Sequence, residues 1–157
     1  MSAQLMDGKT LAAQKKAAIR AEVERLARTP GLAVVLVGEN PASQIYVRGK
    51  ARDCEECGIR CMDFRLPAQT TESELLTLIA ELNGRADVDG ILVQLPLPEG
   101  IRERRVLEAI APEKDVDAFH PENVGRLVQG QARYLPCTPA GVMELLRAAG
   151  VDPAGRR

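Results

Sequence analysis

Two strand-like apolar runs constrain this chain more than any other feature: Leu32 to Val37 (LAVVLV), which is continuous, and Gly90 to Leu95 (GILVQL), broken only by Gln94. A strand with one face in water alternates apolar and polar residues. A run without alternation is covered on both faces, as strands of a parallel sheet are. Gly38 closes the first run. Pro96-Leu97-Pro98 closes the second, because proline lacks the N–H that a central strand donates. Cys61 to Leu66, followed by Pro67, is a further strand candidate.

Helical patterns fill the intervals. Leu11, Ala12, Lys15, Ala18, Ile19, Glu22, Val23 and Leu26 recur at helical spacing and predict a helix over Gly8 to Arg28, broken at Thr29-Pro30-Gly31. Asn40 as N-cap with Pro41 at the first helical position opens a second helix, which should run to Cys57 and stop at Gly58. Thr71 and Glu74 have capping-box spacing at the head of a third, which ends at Asn83-Gly84. Arg102 to Ile110 and Thr138 to Ala149 read as two more, while residues 111–130 are less regular. Strands alternating with helices give an α/β fold, a three-layer α/β/α sandwich on a mostly parallel sheet. Ligands of such sheets bind beyond the carboxyl ends of the strands. That places Gly38 to Ser43 and Gln94 to Pro98 near the site.

A chain of 157 residues is one domain in size. Its aromatics are Tyr46, Tyr134, Phe64 and Phe119, with no Trp, so the core must be aliphatic. A formal net charge of −1 gives no electrostatic reason to expect nucleic acid or an anionic membrane. No apolar run approaches the roughly 20 residues that span a bilayer, and residues 1–10 carry no secretory signal. The expectation is a soluble, cytoplasmic protein whose four cysteines are reduced thiols.

Four constellations could carry chemistry. Tyr46 and Lys50 lie four apart on the second helix, so a phenol and an ammonium project from one surface. A lysine beside a polar group in a partly dry cleft can serve as acid or base; the same spacing also describes an ordinary solvated helix face. Gln94, among strand aliphatics, needs hydrogen-bond partners, either a ligand or nearby loop backbone. Asp115 and Asp117, in KDVDAFHP, could grip a heterocycle through paired N–H donors, cap a helix beginning near Glu122, or bind a metal; His120, the only histidine, reads as structural. Cys54, Cys57 and Cys61 suggest a thiolate metal site. The first two lie inside a predicted helix and Cys137 is distant, so they read as small buried hydrophobes, with no metal expected. No G-x-G-x-x-G or P-loop occurs, and the first turn, Gly38-Glu39-Asn40-Pro41, does not fit a dinucleotide fingerprint.

The segments VGENPASQIYVRGKARDCEECGI, GILVQLPLP, PEKDVDAFHPENVGRL and PCTPAGVMELL, in that order, resemble the bifunctional methylenetetrahydrofolate dehydrogenase/methenyltetrahydrofolate cyclohydrolase family, FolD in bacteria, over nearly the whole chain. The resemblance implies an enzyme of one-carbon folate metabolism acting on tetrahydrofolate derivatives. Lys50 would be the catalytic lysine, Tyr46 would stack on the substrate, and Gln94 would bond both lysine and substrate. Asp117 would bind the pterin N–H groups, Val93 and Leu95 would add substrate contacts, and Thr138 would lie toward the nicotinamide of NADP. It also implies a folate-binding catalytic domain over residues 1–150. Residues 151–157 would begin a linker toward a Rossmann NADP domain absent here. A folate-binding module without turnover is the alternative. Family homodimers form largely through the nucleotide domain, which is compatible with a monomer for this chain. Two departures stand out: Ala118 replaces a family glycine after Asp117, and the link from first helix to first strand is short.

Overall fold

The fold follows from the order in which strands and helices alternate. In the computed structural model, which describes residues 5–155, the elements are α1 (Gly8–Val23), β1 (Gly31–Val37), α2 (Pro41–Cys57), β2 (Arg60–Leu66), α3 (Glu72–Gly84), β3 (Gly90–Val93), α4 (Glu103–Ala109), α5 (Pro121–Val128) and α6 (Cys137–Ala148). The sheet order is β2-β1-β3 and both pairings are parallel, with Gly31 opposite Arg60 and Leu32 opposite Gly90. The α/β sandwich on a parallel sheet expected from the two apolar runs is therefore present.

β1, the central strand, shows why its sequence does not alternate. Ala33, Val35 and Val37 face a core made with Leu75, Ile79 and Leu82 of α3 and Val106 of α4, while Val34 and Leu36 pack with Val47 of α2 and Leu92. The chain leaves β1 for α2 on one face and leaves β3 for α4 on the other. The carboxyl ends of these adjacent strands therefore open a crevice where the winding reverses. α1 rests against the outside of α2, with Lys16 bonded to Asp53 at 3.1 Å and paired with Glu56. Lys15 pairs with Glu144 of α6.

Local signals explain most boundaries. Asn40 accepts the Ser43 N–H at 3.1 Å with Pro41 at the first position of α2, and Gly58, at φ 75°, caps its end. Thr71 and Glu74 form the capping box of α3. Four elements differ from the sequence reading. α1 stops at Val23, not Arg28: Val23 is half-buried, residues 24–29 are exposed, and the chain leaves the helix through turns and bends over 24–28. β3 ends at Val93, since the chain bends into Pro96 after Gln94 N–H bonds Val35 O at 2.8 Å. α5 occupies part of the stretch that reads as irregular, capped by His120 with Pro121 at its first position. α6 begins at Cys137, one residue early, and ends at Ala148.

Candidate active site

The two residues that sequence reasoning set apart most clearly meet in space. Lys50, on the inner side of α2, donates from Nζ to Oε1 of Gln94 at 3.0 Å, across 44 residues of sequence. Gln94 sits one residue past β3, and its Nε2 donates to Leu95 O at 2.7 Å. The two bonds fix the amide: one end faces the loop carbonyl, so the oxygen faces the lysine. Gln94 thus satisfies loop backbone, one of the two readings of it, and also accepts from Lys50. Tyr46 stands one turn before Lys50 and is 65% exposed, which leaves a ring face open to stack on a flat ligand.

The third participant is Asp117. Burial pushes its carboxyl above the usual range, the Lys50 ammonium pulls it back, and the Asp115 carboxylate pushes it up again. The two aspartates, equivalent by sequence, have separate tasks. Asp115, 2% exposed, is spent inside the loop: its Oδ2 accepts the His120 N–H at 2.8 Å and Asn123 Nδ2 at 2.9 Å. Asp117 is left facing the lysine. Ala118 follows it at φ 57°, the one non-glycine residue at positive φ among those described. Neither aspartate caps α5: His120 Nδ1 accepts the Glu122 N–H at 3.1 Å, a structural role for the single histidine.

The remaining predicted residues are placed unevenly. Leu95 is half-buried at the site and supplies the carbonyl that holds Gln94. Val93 is 3% exposed, and its side chain belongs to the core on the α3 face, so only its main chain borders the crevice. Thr138 is exposed near the start of α6, whose N-terminus has no side-chain cap. Its neighbour Cys137 was not singled out for the site by sequence. The Cys137 thiol turns toward Val116 O at 3.8 Å; burial raises its pKa, with Asp117 adding to the rise and Lys50 opposing it. Its position beside Pro136 gave no signal, because only the tertiary return of α6 brings it there.

Cys54 and Cys57 are both buried, Cys57 where α2 meets α1 with its thiol toward Lys16 O at 4.0 Å, and burial pushes the Cys54 thiol up to about 12. Among the described residues no three His, Cys, Asp or Glu side chains are grouped to hold a metal ion. No helix is long and apolar enough to cross a membrane, again among the described residues. The turn after β1 does not fit a dinucleotide either. After β1, Asn40 occupies the Ser43 N–H, Pro41 has none to offer, and Glu39 adds negative charge where a pyrophosphate would lie.

The arrangement matches known proteins over its whole extent. The family model described as "Tetrahydrofolate dehydrogenase/cyclohydrolase, catalytic domain" matches residues 6–117. The bifunctional protein FolD of Nitratidesulfovibrio vulgaris is 58% identical over 98% of this chain, and that of Moorella thermoacetica 56% over all of it. The chain spans about half the length of the curated relatives it matches, 54% and 57% of these two. Among solved structures, the bifunctional enzyme FolD of Campylobacter jejuni superposes with a TM-score of 0.92 at 50% identity, over 95% of this chain and 54% of that one. The Trypanosoma brucei N5,N10-methylenetetrahydrofolate dehydrogenase-cyclohydrolase, complexed with NADP cofactor and inhibitor, superposes at 0.92 with 37% identity, over 99% and 55%.

Proposed function

Because the chain belongs to the tetrahydrofolate dehydrogenase/cyclohydrolase catalytic-domain family, we propose that it binds one-carbon tetrahydrofolates in the crevice between α2 and the β3–α4 loop and hydrolyses 5,10-methenyltetrahydrofolate there. The observation that carries the reading is the Lys50–Gln94 bond beside Asp117. In this proposal Asp117 accepts pterin N–H donors as a carboxylate fork, and Tyr46 stacks on the ligand.

The hydrolysis is simple to balance. The methenyl carbon bridges two nitrogens and carries their shared positive charge. The oxygen of a water bonds to that carbon and the water loses a proton. One carbon–nitrogen bond then breaks as the new hydroxyl gives up its own proton and becomes the carbonyl; the electron pair of that bond returns to nitrogen, which takes a proton, and a formyl group remains on the other nitrogen. One proton is released overall. A group is needed that accepts a proton and returns it, and Lys50 Nζ is placed for this by Gln94.

The reading extends to the whole enzyme as follows. In it, residues 1–150 are the folate-binding catalytic domain, and residues 151–157 begin a linker toward a Rossmann nucleotide domain. Oxidation of 5,10-methylenetetrahydrofolate by NADP belongs to that longer assembly. NADP is the cofactor of the trypanosomal relative's complex; of the described residues Thr138 is the one proposed to lie toward its nicotinamide, and no hydride step is assigned to them. The proposed setting is the cytoplasm.

Calorimetric titration of the chain with 5,10-methenyltetrahydrofolate tests the site: binding is expected, weakened by Tyr46→Ala and by Asp117→Ala. No binding by the unsubstituted chain contradicts the proposal.

A further inference from the structure

On α3, away from every residue assigned to folate, one carboxylate is unusually occupied. Glu72 Oε2 accepts the Arg102 backbone N–H at 2.9 Å and Arg102 Nε at 3.0 Å, and Oε1 accepts Arg102 Nη2 at 2.6 Å and Arg105 Nη1 at 2.8 Å. Its side chain is 13% exposed although both arginines are largely in solvent. Arg102 is the N-cap residue of α4 and has no side-chain cap of its own. Glu72, at the first position of α3, therefore ties the beginnings of two helices together.

Arg102 is also the far end of the loop that starts at Gln94. The near end is held to β1 by the Gln94 N–H. Between them, the Leu97 N–H is taken by Glu103 Oε1 at 3.2 Å, and the Ile101 N–H by Pro98 O at 3.3 Å. The amide orientation of Gln94 depends on this loop, because Leu95 O is what its Nε2 grips. We infer that Glu72 is a positioning residue for the Lys50–Gln94 pair: by clamping Arg102 it fixes the loop whose Leu95 carbonyl turns the Gln94 oxygen toward the lysine. This goes beyond the hydrolytic reading but uses it for one of two readouts.

The test compares the 157-residue chain with its Glu72→Ala and Glu72→Gln variants. The first readout is amide hydrogen exchange by NMR, which needs no substrate. Glu72→Ala should speed exchange at Leu97 and Ile101 about tenfold more than in β1, and Glu72→Gln, which keeps an acceptor for the Arg102 N–H, should speed it less. A uniform rise over loop and β1, or no rise, overturns the inference. The second readout is a double-mutant cycle on hydrolysis. Glu72→Ala should lower kcat about tenfold with little change in KM, because small misplacements of reacting groups are costly, and this loss should vanish in a Gln94→Ala background. Equal losses in both backgrounds mean Glu72 does not act through Gln94. Should the unsubstituted chain not hydrolyse the substrate, the functional proposal fails, and the exchange measurement still decides the role of Glu72.

Discussion

Replacing Ala118 by glycine sets strain against burial at the loop that carries Asp117. The residue sits at φ 57°, where an L-side chain crowds the backbone, and its methyl group is 1% exposed. The left-handed conformation costs a non-glycine residue about 1–2 kcal/mol. Ala118→Gly removes that cost. It also loosens the unfolded chain, which takes back about 0.4–1 kcal/mol, and deletes a buried methyl worth about 0.8 kcal/mol. The terms nearly cancel, so urea denaturation should place the variant within about 1 kcal/mol of the parent with an unchanged m-value. The melting temperature should move by less than about 4 °C. Ala118→Val adds two methyl groups at a sealed site and a β-branch at positive φ, and should cost about 3 kcal/mol. A glycine variant more stable by over about 2 kcal/mol would show that the methyl group contributes nothing and that strain alone governs the turn.

Other expectations concern charge and exposure. Glu72 is held down to about 2 chiefly by its Arg102 bonds. Its folded value lies below its unfolded one, so its contribution to stability is complete above the ordinary carboxylate range and is lost as the pH falls toward about 2. Unfolding followed from pH 5 to pH 2 should show a loss that shrinks in Arg102→Met; an identical acid profile in that variant refutes the assignment. A maleimide at pH 8 should label Cys137 before Cys54 or Cys57, since the latter two are buried. Folate should then slow the labelling of Cys137, whose thiol lies by Asp117 and Lys50. Labelling indifferent to folate argues against ligand in this crevice.

What the sequence disclosed was set by how local each feature is. The apolar run of β1 and the caps at Asn40, Thr71 and Gly58 act within a few residues, and the corresponding elements stand where the pattern places them. α1 ends before Leu26, although Leu26 continues the helical period, because that residue is 55% exposed and adds little to the core. α5 reads as part of an irregular segment because Asn123 is its only buried residue; its one strong signal is a histidine cap before Pro121. At the site, Tyr46 and Lys50 share a helix face and so could be paired by spacing. The Lys50–Gln94 bond crosses 44 residues, and no periodicity reports it. The division of labour between Asp115 and Asp117 depends on Asn123 returning from α5. Glu72 looked only like the residue after a helix cap; its four donors come from a helix 30 residues on.

The central claim is that Lys50, aimed by Gln94, moves the proton in hydrolysis. The direct measurement follows the absorbance of 5,10-methenyltetrahydrofolate with this chain and with Lys50→Met, whose side chain keeps the length and removes the amine. The account predicts decay above the buffer rate for the parent and decay at the buffer rate for the variant, with folate still bound by both. Equal decay in parent and variant would show that Lys50 is not the proton carrier.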